Sequence, residues 1–257
     1  MSIKAHDNDE WYCCLDDREC SRFFSDEREN KIRLQWSIFD YIHQYDELSI
    51  FHYEKIANIL VQEIDCKGKD VADIGCGTGI LSFMVLEKGI KKISCVDISK
   101  FMLDKCKKKS IDKGYPNEVI SFHEGDVEKL AFRDSSFNIL FCNMVLGMVP
   151  NQQVAINELT RILRSGGTLA LSIHGPTHLI EPIEALVKSM NNRFYFAHRF
   201  EFWPRDERKV KMFFMKAGLG KIKTKRLTWT DEFENGGELF DFFCFYIWTL
   251  VVSSITS

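Results

Sequence analysis

The chain has 257 residues, 45% of them hydrophobic and 28% charged, which supplies a sizeable core and excludes a disordered chain. A formal charge of -3 gives no basic field, so duplex DNA or another polyanion is not expected as a partner. The opening MSIKAHDNDEWYCC is polar and mixed in charge where a secretory signal would be apolar, and a cytoplasmic location is expected.

Cys13, Cys14 and Cys20 cluster near the start, but the second cysteine pair or the histidines of a zinc site do not follow. A locally packed or frayed segment is expected there, with no metal. Cys76, Cys95, Cys106, Cys142 and Cys244 stand singly in apolar or glycine-rich stretches and read as reduced, small hydrophobes.

Residues 25–45 carry Ile32, Trp36, Phe39 and Ile42 at spacings of three and four, which predicts an amphipathic helix. A second helix is predicted over 48–64, presenting Phe51, Ile56, Ile59 and Leu60. From residue 70 the pattern changes. Short runs rich in Val, Ile and Phe, namely DVADIG, KISCVDI, VISFHE, FNILFCNM and TLALSIH, alternate with helical stretches. Such alternation predicts an α/β fold, a doubly wound, mostly parallel sheet with helices on both faces and an N-terminal helical cap. Further on, a helix ending near Gly218 and a strand over 221–229 are predicted. Residues 236–252 are apolar all round and leave helix and seventh strand open, with helix favoured by the GGELFDFF opening. Their apolar part is too short for a membrane span, which needs about 20 residues. The lysine runs at 104–109 and 221–226 read as solvated faces, and His123 as structural.

The stretch VADIGCGTGI places Gly75, Gly77 and Gly79 at the end of the first predicted strand, where an open α/β sheet binds ligands. The spacing is not that of the dinucleotide fingerprint, since the third glycine comes one residue early. Asp73, two positions before the first glycine, repels phosphate and attracts an ammonium or sulfonium.

DIGCGTG resembles the first motif of class I S-adenosylmethionine-dependent methyltransferases, and further landmarks of that Rossmann-like family follow in order from about 70 to 175. SCVDIS is similar to the second strand and its acidic end, EGD to the adenine loop, and INELTRILRSGGTLALSIH to the helix, turn and fifth strand of the small-molecule, quinone-biosynthesis-like branch. The resemblance implies S-adenosyl-L-methionine as cofactor, with Asp73, Gly75, Cys76, Gly77 and Gly79 at its methionine part and Asp97 on both ribose hydroxyls. It implies Asp126 at the adenine amino group, with Ile98, Met102, Val127, Asn143 and Tyr53 completing the site. Three departures are Ser165 for the usual proline, Asn138 for the usual aspartate and Leu130-Ala131 for the usual Leu-Pro. Asn143-Met144-Val145-Leu146 replaces the motif of nucleic-acid amino-methylases, so no nucleic acid substrate is expected.

The expected activity is methyl transfer to a small-molecule acceptor. The alternative is a non-catalytic, cofactor-binding partner subunit of the same fold. Candidate acid–base groups are His174, at the end of the fifth strand, and Tyr45, with His178, Tyr41 and Tyr53 behind them. Residues 1–65 are expected to form a cap or lid and 66–257 the cofactor-binding domain. Acceptor-side helices are expected over about 176–217, where Phe194, Tyr195, Phe196, Phe200, Phe202 and Trp203 favour an apolar or planar acceptor.

Overall fold

The computed structural model describes residues 45–173, 175, 207–228, 232, 236 and 237, with backbone alone at 45 and 47–52. Several expectations therefore lie outside the described residues. They are the helix over 25–44, the cluster of Cys13, Cys14 and Cys20, the side chain of Tyr45, His174, the stretch 176–206 and the conformation of 238–252.

The first described element, α1, runs Tyr45–Gln62, three residues earlier than its predicted start. The strands are β1 (Asp70–Ile74), β2 (Lys92–Asp97), β3 (Ile120–Glu124), β4 (Phe137–Asn143) and β5 (Leu163–Ser172). Between them lie α2 (Ile80–Leu86), α3 (Lys100–Asp112) and α4 (Gln152–Ile162), and α5 (Glu207–Lys216) follows. The described strands form one sheet in the order β3-β2-β1-β4-β5, every neighbouring pair parallel. Fully buried parallel strands need apolar side chains on both faces, and β1 is buried at all five positions.

Each face has its own core. Ala57 and Val61 of α1, Leu81 and Val85 of α2, and Leu103 and Cys106 of α3 meet Val71, Ile93 and Phe141 on one side. Ala155, Ile156, Leu159 and Ile162 of α4, with Val210 and Phe214 of α5, meet Ala72, Val96 and Leu140 on the other. Successive crossovers thus change sides between β1 and β4, and the carboxyl ends of these two strands flank the crevice that results. Local signals start the helices: Ser99 Oγ accepts from Met102 N at 3.2 Å to cap α3, and Asn151 Oδ1 accepts from Val154 N at 3.2 Å to cap α4.

The departures from the family pattern have a structural account at Asn138. Its Oδ1 accepts from Asp70 N at 3.1 Å and from Arg164 Nη1 at 2.8 Å, while Arg164 Nη1 also pairs with Asp70 at 2.9 Å. An amide oxygen there serves both donors without setting a second carboxylate beside Asp70. Strand β5 begins earlier than its apolar run. Leu163 pairs with Phe137 and Thr168 with Ile139, so Arg164 to Gly167 bulge out of the ladder.

Of the predicted strand over 221–229, the described residues 221–228 are irregular and, apart from the half-buried Ile222, exposed. Alternation there set Ile222 in line with Thr224, Arg226 and Thr228, a single apolar side chain that cannot make a buried face. The helix stop near Gly218 is observed. Gly218 has φ +87, Leu219 N donates to Phe214 O at 3.0 Å and Gly218 N to Met215 O at 3.0 Å, closing α5 with a Schellman turn.

Candidate functional site

A cleft opens at the carboxyl ends of β1, β2 and β4, with about 1050 Å³ of empty space when the open solvent at its mouth is included. The chain reaches it as the sheet order requires. Gly75 N and Cys76 N both donate to Val96 O, at 2.7 and 2.9 Å, so the turn leaving β1 is hung on the end of β2. The next strand residue, Asp97, holds the rest of that turn: its Oδ2 accepts from Gly77 N at 2.7 Å and its Oδ1 from Ser99 N at 2.9 Å. One carboxylate therefore fixes both the glycine loop and the start of α3.

The three glycines have different reasons. All have positive φ, at +73, +54 and +92 for Gly75, Gly77 and Gly79, a region that L side chains rarely adopt. At Gly75 an added Cβ would stand 2.2 Å from Val145 Cγ2, and at Gly79 it would stand 2.6 Å from Cys106 Sγ and 2.7 Å from Phe83 Cε2. At Gly77 nothing lies within 4 Å, and that residue faces the cleft. Protein packing thus accounts for the outer two, and the middle one borders space.

Asp73 is buried at the floor of the cleft, 1% exposed, and its Oδ2 accepts from Ser82 Oγ at 2.6 Å. Burial pushes its carboxyl up to about 8, with Cys95 adding to the rise and the Ser82 hydroxyl opposing it. On the far side, Asp126 Oδ1 accepts from Glu128 N at 2.9 Å in a local turn after β3. Asn143 Oδ1 accepts from Ser172 Oγ at 2.6 Å, and the same hydroxyl oxygen accepts from Met144 N at 3.0 Å, tying the ends of β4 and β5 together.

Of the residues expected at a cofactor, Tyr53, Asp73, Gly75, Cys76, Gly77, Asp97, Ile98, Met102, Asp126, Val127 and Asn143 all line this cleft. Gly79 does not; its place is in the packing between the loop, α2 and α3. His123 lies away from the cleft, with Nε2 3.0 Å from Ser121 Oγ and its ring edge-on to Phe132. Sequence reasoning missed Met144, Val145, Met148 and Val149, which give the cleft an apolar wall beyond β4. Met144 sits at φ +61, a conformation no motif announces.

Two further arrangements were not visible in the sequence. Asp46, in the first turn of α1, accepts from Thr78 Oγ1 at 2.5 Å and pairs with Lys109 at 2.7 Å, fastening α1 to the glycine loop and to α3. Secondly, Cys76, Cys95 and Cys106 converge in the core with their sulfurs within 4.8 Å of one another. Burial raises Cys76, hydrogen bonding with Cys106 raises Cys95, and hydrogen bonds from both of these thiols lower Cys106.

Residues 72–171 match the methyltransferase-domain family. The malonyl-(acyl-carrier protein) O-methyltransferase of Hamiltonella defensa subsp. Acyrthosiphon pisum is 31% identical over 152 residues, 59% of this chain and 56% of that one. The chloroplastic 2-methyl-6-phytyl-1,4-hydroquinone methyltransferase 2 of Oryza sativa subsp. japonica is 28% identical over 158 residues, 61% of this chain and 40% of that one. The matches thus span little more than half of one relative and two fifths of the other. Among solved structures, a protein of Methanococcus maripaludis superposes with a TM-score of 0.54 at 21% identity, over 72% of this chain and 84% of that one. That likeness concerns the fold.

Proposed function

We propose, from the premise that residues 72–171 form a methyltransferase domain of the class I S-adenosylmethionine-dependent family, that this chain transfers a methyl group from that cofactor to a small-molecule acceptor. The observation that carries the reading is the open space at Gly77 beside the Asp97 carboxylate, a cradle that one added Cβ would enter. When bound, S-adenosylmethionine supplies an electrophilic methyl group on a sulfonium. The chain's own residues bind, align and exclude water, which suffices for an in-line displacement unless the acceptor carries a proton at neutral pH. Asp97 would hold the diol of the ribose while keeping the glycine loop in place, since an ionised carboxylate accepts about four hydrogen bonds. Asp126 would bind the adenine, with Ile98, Met102 and Val127 supplying apolar surface.

The apolar wall of Met144, Val145, Met148 and Val149 supports an acceptor of apolar or planar character, and the phytylhydroquinone relative supports the same class. His174, two positions after the last residue of β5, and Tyr45, the first residue of α1, are proposed as acid–base groups on sequence position alone. The test is transfer of labelled methyl from S-adenosylmethionine to a panel of quinols, phenols and carboxylic acids. Binding of S-adenosylhomocysteine without transfer to any of them would move the assignment to a non-catalytic partner subunit.

Asp73 makes a pH prediction. Its carboxyl, raised to about 8 by burial, is mostly protonated at neutral pH, and an arriving cation favours the ionised form. Binding of S-adenosylmethionine at pH 7 is expected to release a proton, and affinity to rise with pH towards about 8 and then level. Calorimetry in buffers of different ionisation enthalpy measures this; Asp73→Asn should bind with no proton release. Equal proton release in the two proteins would remove Asp73 from the account.

Residues 1–65 are proposed to cap the cleft, supported by Tyr53 on its wall and by the tie from Asp46 to Thr78. Asp46→Ala strands the Thr78 hydroxyl, which is 1% exposed, at a cost of about 1–3 kcal/mol. We expect a stable protein with S-adenosylhomocysteine affinity reduced about fivefold and turnover reduced further. Unchanged turnover would count against the cap.

A further inference from the structure

We propose that Cys76, Cys95 and Cys106 form a binding site for a trivalent thiophilic metalloid, of the arsenite class, set in the core directly behind the cofactor loop. The three come from separate elements: Cys76 from the loop after β1, Cys95 from the middle of β2 and Cys106 from α3. Their sulfurs lie within 4.8 Å of one another. Thiolates about 2.3 Å from a shared pyramidal centre stand roughly 3.5 Å apart, so side-chain rotation that moves each sulfur by less than about an ångström closes the site.

Geometry and charge select the occupant. All three residues are buried, at 7%, 0% and 0% exposure, and no fourth His, Cys, Asp or Glu completes the group among the described residues. Zinc in a closed structural site takes four ligands, so this set leaves it incomplete. Soft sulfur ligands favour soft ions, and three thiolates carry a charge of -3. A monovalent ion would leave two negative charges in the core and a divalent ion one, near the Asp97 carboxylate that holds Gly77 N beside Cys76. A trivalent centre leaves none. The step balances without redox change: As(OH)₃ and three Cys–SH give As(S–Cys)₃ and three H₂O, each As–O bond that breaks taking one thiol proton away in water.

The cleft also gives access to the three sulfurs. Cys76 lines the cleft, whereas Cys95 and Cys106 lie behind it, so entry runs through the space at the glycine loop. The bareness of Gly79 contributes, because a Cβ there would stand 2.6 Å from Cys106 Sγ and displace that sulfur from the group.

The test titrates the full reduced chain with sodium arsenite, reading sulfur-to-arsenic absorbance in the near ultraviolet, and then alkylates the remaining thiols for mapping by mass spectrometry. One equivalent is expected to bind and to protect Cys76, Cys95 and Cys106, leaving Cys66 and Cys142 as reactive as before. A variant with Cys13, Cys14 and Cys20 all changed to Ser should keep this equivalent, and Cys106→Ser should lose it. Protection of any other set of thiols, loss of the equivalent in the N-terminal variant, or its displacement by equimolar zinc would overturn the proposal. The protection map needs no substitution, so it decides the matter even if Cys106→Ser does not fold.

Discussion

Asp97→Ala is expected to weaken S-adenosylhomocysteine binding by about a hundredfold, and by tenfold at the least. Two charge-assisted hydrogen bonds to a diol, at about 1.5 kcal/mol each, correspond to that ratio. The structure adds a second loss, because the same carboxylate accepts from Gly77 N at 2.7 Å and Ser99 N at 2.9 Å. Without it the glycine loop keeps its bonds to Val96 O but not the one that holds its middle residue, and α3 loses a support of its first turn. Asp97→Asn separates the two effects, since the amide oxygen can still accept from Gly77 N while its NH₂ no longer suits Ser99 N. An intermediate affinity is expected for it. Calorimetry on the three proteins, with thermal melts to track the loop, checks the series. Affinities within threefold of each other would sink the assignment of Asp97.

The central strands were legible because they are buried on both faces and so appear as runs rich in apolar residues, DVADI interrupted by Asp70 and Asp73 and FNILFCN by Asn138 and Asn143. Helix α4 was legible for the complementary reason: Ala155, Ile156, Leu159 and Ile162 recur at helical spacing and all reach 0% exposure. The stretch 221–228 misled because alternation without an apolar face resembles a strand only in spacing, and no ladder forms there among the described residues. In the cleft, the residues next to the motifs were found and the wall was not. Met144 and Val145 follow β4 in a turn whose shape depends on Gly75, seventy residues away in the chain, being bare where Val145 Cγ2 comes close. The clasp from Asp46 to Thr78 and Lys109, and the meeting of Cys76, Cys95 and Cys106, have the same character. Each joins residues far apart in sequence whose types are ordinary where they stand, so only tertiary packing brings their chemistry into view.

The three glycines provide the sharpest separation of fold from function, and Gly77→Val is expected to abolish S-adenosylhomocysteine binding in a protein that remains folded. At φ +54 the backbone there disfavours a β-branched residue, a strain of about 1–2 kcal/mol. Nothing lies within 4 Å of the new Cβ, however, so no packing is broken, and the Gly77 N bond to Asp97 is retained. A loss of that size corresponds to a fall in melting temperature of roughly 2–8 °C for a domain of this length. Binding should fall by more than a hundredfold, because the isopropyl group fills the space beside Asp97 that the ribose and methionine parts of the cofactor need. Gly75→Ala is the contrast: its Cβ would meet Val145 Cγ2 at 2.2 Å, so stability falls along with binding. Circular dichroism and calorimetry on the pair read both quantities. If Gly77→Val unfolds while Gly75→Ala melts like the wild type, the middle glycine is the structural one and the cradle has been misread. If Gly77→Val folds and binds S-adenosylhomocysteine within threefold of the wild type, the cofactor does not lie against this loop.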